Sequence, residues 1–199
     1  MSFDLSVIPN KNILLAVTGG IAAYKSAILV RRLKDAGFQV RVVMTEGAQA
    51  FITPLTFQAL SGNPVHTELL NPEAEAGMGH IELARWADLL LVAPASCNTI
   101  AKFAAGLADD LLSTLYLATK APVWVAPAMN QQMWAAKATQ RNLATLVEDG
   151  VHVIMPDAGA QACGDVGLGR MPEPEDLAHQ VTEYFHKAQR AMAEKFGML

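Results

Sequence analysis

The stretch Asn12-Ile-Leu-Leu-Ala-Val-Thr18, which runs into Gly19-Gly20, decides the fold together with the helical pattern after it. Five apolar residues in succession, bounded by a turn signal, make a strand buried on both faces. Beyond the glycines, Ile21, Tyr24, Ile28, Leu29 and Leu33 recur at helical spacing over residues 21–36, and Gly37 closes the helix. Strand, tight turn and helix in that order form the first unit of a parallel sheet, because two parallel strands need a crossover between them.

The same alternation continues along the chain. Strands are predicted at residues 39–45, 88–95, 122–128 and 151–155. Two short helices are predicted over 46–60, with Thr53-Pro54 as N-cap and first helical residue. Gly62-Asn63-Pro64 is a turn, and residues 71–79, rich in Ala, Gly and Glu, form a surface loop. Further helices are predicted at 80–86, from the cap Ser96-Cys-Asn-Thr99 to Gly106, at 110–119 and at 131–148. Residues 157–171 carry Gly159, Gly164, Gly167 and Gly169 without periodicity and are predicted to form a mobile flap; an amphipathic helix over 173–196 follows. The expected architecture is a single α/β domain over residues 1–199. It is a Rossmann-like (flavodoxin-like) parallel sheet with helices on both faces, in three layers.

Composition bounds the function. Of 199 residues, 52% are hydrophobic and 17% charged, which excludes disorder. A formal net charge of −4 argues against sequence-independent nucleic-acid binding, which needs a basic face. The N-terminal residues lack a signal-peptide pattern, and the run Leu89-Leu-Leu-Val-Ala-Pro-Ala95 is far short of the roughly 20 residues that span a bilayer. A cytoplasmic protein without a membrane partner is expected. Cys97 and Cys163 form no C-x-x-C pair, so neither a zinc site nor a thioredoxin-like motif is supported. The apolar excess calls for surface hidden in a subunit interface or around a cofactor.

Ligands of open parallel sheets lie beyond the C-terminal strand ends. Three such ends here are polar or glycine-rich: Thr18-Gly-Gly20, Ser96-Cys-Asn-Thr99 and Met129-Asn130. The first matches neither G-x-G-x-x-G nor Walker A. It is either a tight turn or a place where backbone N–H groups meet a phosphate. Ser96 to Thr99 reads equally as a helix cap, Asn130 as the cap of the next helix, and His80 as a surface histidine. Cys163 is harder to assign to packing, since a flap is a poor place to bury a thiol. Its thiol can act as an acid as readily as a nucleophile.

Four strings occur in order: Met78-Gly-His-Ile-Glu82, Pro94-Ala-Ser-Cys-Asn-Thr99, Pro127-Ala-Met-Asn-Gln-Gln-Met-Trp134 and Ala162-Cys-Gly-Asp-Val-Gly167. Together they resemble the family of homo-oligomeric, flavin-containing cysteine decarboxylases, over residues 12 to about 171. The resemblance is greatest to the phosphopantothenoylcysteine decarboxylases of coenzyme A biosynthesis. Cys97 departs from the usual Ser-Ala-Asn-Thr string. The bifunctional members continue into a phosphopantothenate–cysteine ligase domain that lies beyond Leu199, so a ligase domain or partner is implied.

The resemblance implies FMN between subunits, contacted by Gly19, Gly20, Ile21, Thr45, Ser96, Asn98, Thr99 and Ala128. It implies Asn130 on the substrate carboxylate, Gln161, Ala162 and Cys163 closing over the substrate, and His80 at the reacting centre. It implies no metal. The implied reaction takes 4'-phosphopantothenoylcysteine to 4'-phosphopantetheine: oxidation to a thioaldehyde, loss of CO2, and reduction of the enethiol with Cys163 as proton donor. Trimers assembling into a dodecamer are implied. The alternatives are a peptidyl-cysteine decarboxylase, a flavin prenyltransferase in which Asn130 and Cys163 would be idle, or a flavin-binding regulatory protein.

Overall fold

In a computed structural model, residues 10–69 and 79–196 are described. The N-terminal stretch and the loop read at 71–79, Gly79 apart, lie outside them. The described elements run β1 (Asn12–Val17), α1 (Ala23–Asp35), β2 (Gln39–Met44), α2 (Glu46–Gln49), α3 (Pro54–Ser61) and β3 (Val65–His66). Then come α4 (His80–Trp86), β4 (Leu89–Ala95), α5 (Cys97–Ala104), α6 (Leu111–Ala118) and β5 (Val123–Pro127). The chain continues through α7 (Gln131–Ala135), α8 (Lys137–Glu148), β6 (His152–Val153), β7 (Asp157–Ala160), β8 (Val166–Arg170) and α9 (Pro174–Lys195).

Six parallel strands form one sheet in the order β3-β2-β1-β4-β5-β6. This is the doubly wound Rossmann order; without the two-residue β3 the remaining five strands follow the flavodoxin order. Both sequence labels therefore describe the same core. The topological switch lies between β1 and β4, whose C-terminal ends diverge into α1 and α5.

Every residue of β4 is buried, as its unbroken apolar run requires. The inward sides of β1 and β4 divide between two apolar clusters. Leu15, Leu91 and Ala93 pack with Leu29 and Leu33 of α1 and Leu177, Val181 and Phe185 of α9. Leu14, Leu90 and Val92 pack with Ile100, Phe103, Leu112, Leu115 and Leu143 from α5, α6 and α8.

Three expectations are corrected and one strand that was not read is added. The helical spacing on α1 is right but its face is not: Leu29 and Leu33 are buried, whereas Ile21, Tyr24 and Ile28 are exposed. The buried face runs through Ala23, Ser26, Leu29, Val30 and Leu33, where small residues let the helix approach the sheet. The helix predicted over 131–148 is two, because Ala136 adopts ψ 133° and turns the chain. Strand β3, too short to show a period, pairs with β2 through Val42 and Val43. The segment predicted as an aperiodic flap is an antiparallel hairpin, with Ala158 opposite Leu168 and Ala160 opposite Val166. Its glycines at positive φ (Gly159 at 152°, Gly169 at 133°) hide a strand pattern that side chains alone would show.

Candidate active site

At the C-terminal ends of β1, β4 and β5 a cavity of about 480 Å3 opens between the Gly19–Gly20 turn, the start of α5, the β5–α7 loop and the hairpin. Its floor is rigid. The buried Thr18 hydroxyl donates to the Pro94 carbonyl at 2.8 Å and accepts from the Ser96 N–H at 2.8 Å, joining the ends of β1 and β4. Ser26 of α1 donates to the Ala93 carbonyl at 2.6 Å. A Cβ on Gly19 would lie 3.0 Å from the Gly47 carbonyl carbon, so two glycines let the β1–α1 and β2–α2 turns touch. Beside them, a Cβ on Gly20 would meet nothing.

Among the described residues, the N–H groups of Gly19, Gly20, Ile21 and Ala22 donate to no protein acceptor. Gly19 to Ile21 form the turn that leads into α1 and Ala22 is its N-cap, so these donors lie at the positive end of the helix dipole. The turn therefore supplies anion-binding groups. Ile21, Tyr24 and Met133 also line the cavity while 62%, 56% and 47% exposed, a large apolar surface beside those donors. An anion-binding turn beside apolar walls fits a flavin mononucleotide, with a phosphate at one end and a flat aromatic ring at the other.

The hairpin closes the other side and is held by hydrogen bonds to the β5–α7 loop. Met129 donates its N–H to the Gly169 carbonyl at 2.9 Å, where a Cβ on Gly169 would collide with the Met129 carbonyl oxygen. Gln161 accepts from the Gln131 N–H at 3.0 Å and donates to the carbonyls of Met129 at 3.3 Å and Leu168 at 3.1 Å. At its far end, the buried Lys25 ammonium donates to the Met171 carbonyl at 2.9 Å and to Glu173 at 2.7 Å. A buried lysine is tolerated because it is paired.

At the mouth stand Asn130 and Cys163, distant in sequence. Asn130 caps α7, its Oδ1 accepting from the Gln132 N–H at 2.7 Å. Its Nδ2 donates to the Cys163 Sγ at 3.3 Å and to the Asp165 carboxylate at 2.8 Å. The Cys163 thiol lies 3.6 Å from the same carboxylate and 3.8 Å from Gln161 Oε1.

Of the residues expected at the site, Gly19, Gly20, Ile21, Ser96, Ala128, Asn130, Gln161, Ala162 and Cys163 line the cavity. Thr45, Asn98, Thr99 and His80 do not. Thr45 follows β2 as the N-cap residue of α2, its N–H bonded to the Val17 carbonyl, and Thr99 is buried with its hydroxyl on Ser96. Asn98 is exposed on α5, and half-buried His80 begins α4, whose Leu83 and Ala84 enter the α5–α6 side of the core. Cys97, a substituted position of its motif, is a lining residue with its thiol 3.4 Å from Thr139. Sequence reading missed Lys25 and Asp165; the Cys-Gly-Asp string was a signal for the second, and only the fold showed what its carboxylate meets. Both cysteines are free thiols, and among the described residues no cluster of three metal-binding side chains occurs. No described helix is long and apolar enough to cross a membrane.

The profile of the Flavoprotein family matches residues 4–186. The coenzyme A biosynthesis bifunctional protein CoaBC of Vibrio parahaemolyticus is 58% identical over 181 residues, 91% of this chain and 45% of that protein. CoaBC of Escherichia coli K12 is 58% identical over 175 residues, 88% of this chain and 43% of that protein. The chain thus spans a little under half the length of these relatives. Among solved structures, a cysteine-to-serine variant of a PPC decarboxylase complexed with pantothenoylaminoethenethiol is 35% identical, with a TM-score of 0.78 over 88% of this chain and 98% of that one. The FMN binding protein AtHal3 is 35% identical, with a TM-score of 0.76 over 89% of this chain and 98% of that one. With these matches along nearly its whole length, the chain belongs to the Flavoprotein family, in the branch of the phosphopantothenoylcysteine decarboxylases.

Proposed function

We propose that this chain is the FMN-dependent decarboxylase of 4'-phosphopantothenoylcysteine in coenzyme A biosynthesis, working in the cytoplasm. The observation that carries this is the pairing of the Asn130 amide with the Cys163 thiol at 3.3 Å, at the mouth of a cavity floored by unpaired backbone donors.

When bound, FMN supplies the two-electron sink without which a cysteinyl carboxylate has nowhere to leave its electron pair. Gly19, Gly20, Ile21, Ser96 and Ala128 would hold it, with Ile21, Tyr24 and Met133 against its apolar surface. Asn130 Nδ2 donates to the substrate carboxylate and sets which bond breaks. Gln161 ties the hairpin down, so Ala162 and Cys163 cover the substrate and exclude water. Cys163 holds at Sγ the proton that returns to carbon after CO2 has left. His80 lies outside its own chain's cavity, and Ile21, Tyr24 and Ile28 leave an apolar stripe exposed. A homo-oligomer, trimeric and then dodecameric, covers that stripe and brings His80 to a neighbour's site. A phosphopantothenate–cysteine ligase domain or partner would supply the substrate, consistent with the extra length of the CoaBC relatives.

The test is direct. Purified protein should show a flavin absorption spectrum, release FMN on denaturation, and convert 4'-phosphopantothenoylcysteine to 4'-phosphopantetheine with loss of CO2. Cys163→Ser should still release CO2 but accumulate the oxidised enethiol. Normal product from that variant at the unsubstituted rate removes Cys163 as proton donor, and a protein that takes up no FMN removes the whole proposal.

A further inference from the structure

Asn130 is engaged on every polar atom of its side chain. Its Oδ1 accepts the Gln132 N–H at 2.7 Å, which fixes the amide so that only Nδ2 faces the hairpin. A side-chain amide has two N–H donors. One goes to Cys163 Sγ at 3.3 Å and the other to Asp165 at 2.8 Å. The sulfur is a weak acceptor, whereas the bond to the carboxylate is charge-assisted and short. The backbone of Asp165 is fixed separately, its carbonyl accepting from the Gln161 N–H at 2.8 Å, so its exposed side chain can swing away without unravelling the hairpin.

We infer that Asp165 is a place-holder for the substrate: its carboxylate occupies the donor on Asn130 that an incoming carboxylate must take, and sets how tightly carboxylate ligands bind. The inference rests on the proposed role of Asn130 as the carboxylate-binding residue. Two carboxylates cannot share one N–H without repelling each other, so a carboxylate ligand binds only by displacing Asp165. A ligand without a carboxylate leaves the Asn130–Asp165 bond in place. Asp165 therefore weakens the substrate selectively relative to its decarboxylated product, and returns to Asn130 once CO2 is gone. It is a specificity-determining residue that acts by competing for Asn130, although its carboxylate also accepts from the Cys163 thiol at 3.6 Å.

The experiment is calorimetric titration of the FMN-loaded protein with two unreactive probes in which oxygen replaces sulfur: N-(4'-phosphopantothenoyl)serine, which keeps the carboxylate, and the matching ethanolamine amide, which lacks it. Asp165→Asn keeps the size and an acceptor but removes the charge. It should bind the serine probe about fivefold more tightly at low ionic strength, with the gain shrinking near 0.5 M salt, and the ethanolamine probe no differently. Asp165→Glu, which keeps the charge, should show no gain. A role in holding the hairpin alone would shift both probes together and would not respond to salt. Equal shifts for both probes, weaker serine-probe binding in Asp165→Asn, or a gain in Asp165→Glu overturns the place-holder role while leaving the proposed function standing. If the unsubstituted protein binds the two probes equally and Asn130→Ala changes neither, the carboxylate site on Asn130 falls, and this inference with it.

Discussion

The floor of the cavity and its hairpin wall are held by different physics. The floor belongs to the sheet: Thr18, Pro94 and Ser96 are joined by a buried hydroxyl, and Leu15, Leu91 and Ala93 beneath them are fully buried. The wall buries almost nothing of its own. Val166 is 71% and Leu168 44% exposed, and the hairpin stays in place through Gln161, the Met129–Gly169 bond and glycines that let the backbones touch. Apolar burial resists local opening up to the stability of the whole domain, whereas exposed hydrogen bonds open at little cost. A cofactor needs the first kind of support, and a substrate that must enter and leave needs the second.

That contrast predicts that damage to the floor lowers stability, while damage to the wall lowers activity at nearly unchanged stability. Gly169→Val should have the largest effect. A side chain at φ 133° that also collides with the Met129 carbonyl displaces the hairpin, and misplacement by about 1 Å costs roughly 100-fold in rate. Steady-state kinetics beside a thermal melt would show the split; a large fall in Tm would mean that the hairpin belongs to the core. Thr18→Val comes next. It strips partners from the Ser96 N–H and the Pro94 carbonyl and should cost about 2 kcal/mol in denaturant unfolding, with FMN retained less tightly.

Gln161→Ala removes three hydrogen bonds from the wall. Activity should fall about tenfold while limited proteolysis within residues 157–170 speeds up, since these part-buried or exposed hydrogen bonds are worth about 1 kcal/mol each. The smallest effect is expected far from the site. Asp110 closes a capping box with Ser113 at the start of α6, and Asp110→Ala should cost about 1 kcal/mol without touching activity. Burial would raise the Asp110 carboxyl, but Lys102 and Ser113 outweigh it and hold it below the usual aspartate range. With the folded value depressed, its contribution is complete at neutral pH and is lost as pH falls below about 3.9. The stability difference between Asp110→Ala and the unsubstituted chain should therefore shrink in acid, as paired unfolding curves would show.

Much of the sheet was legible because a strand buried on both faces leaves an unbroken apolar run, as at Ile13 to Val17 and Leu89 to Ala95. The caps at Ser96 and Asn130 were legible for a local reason: each is bonded to a backbone N–H two or three residues on. Strand β3 was not, since two residues carry no period. Nor was the break at Ala136, which no proline or glycine announces. Of the five apolar positions read on α1, three (Ile21, Tyr24 and Ile28) are exposed and buried Val30 was not among them, because a helical repeat shows that a face exists without showing which neighbours will cover it.

The site divides the same way. Sequence alone determined the strand ends, the Gly-Gly turn and the strings around Asn130 and Cys163, since these are local matters of capping, turn geometry and residue chemistry. Tertiary structure alone decided that Asn130 meets Cys163 and Asp165 across more than thirty positions of chain, that Thr18 joins β1 to β4, and that His80 stands outside the cavity. Those contacts depend on the order in which strands assemble and on how the hairpin folds back, and neither is encoded within a few residues of the groups that meet.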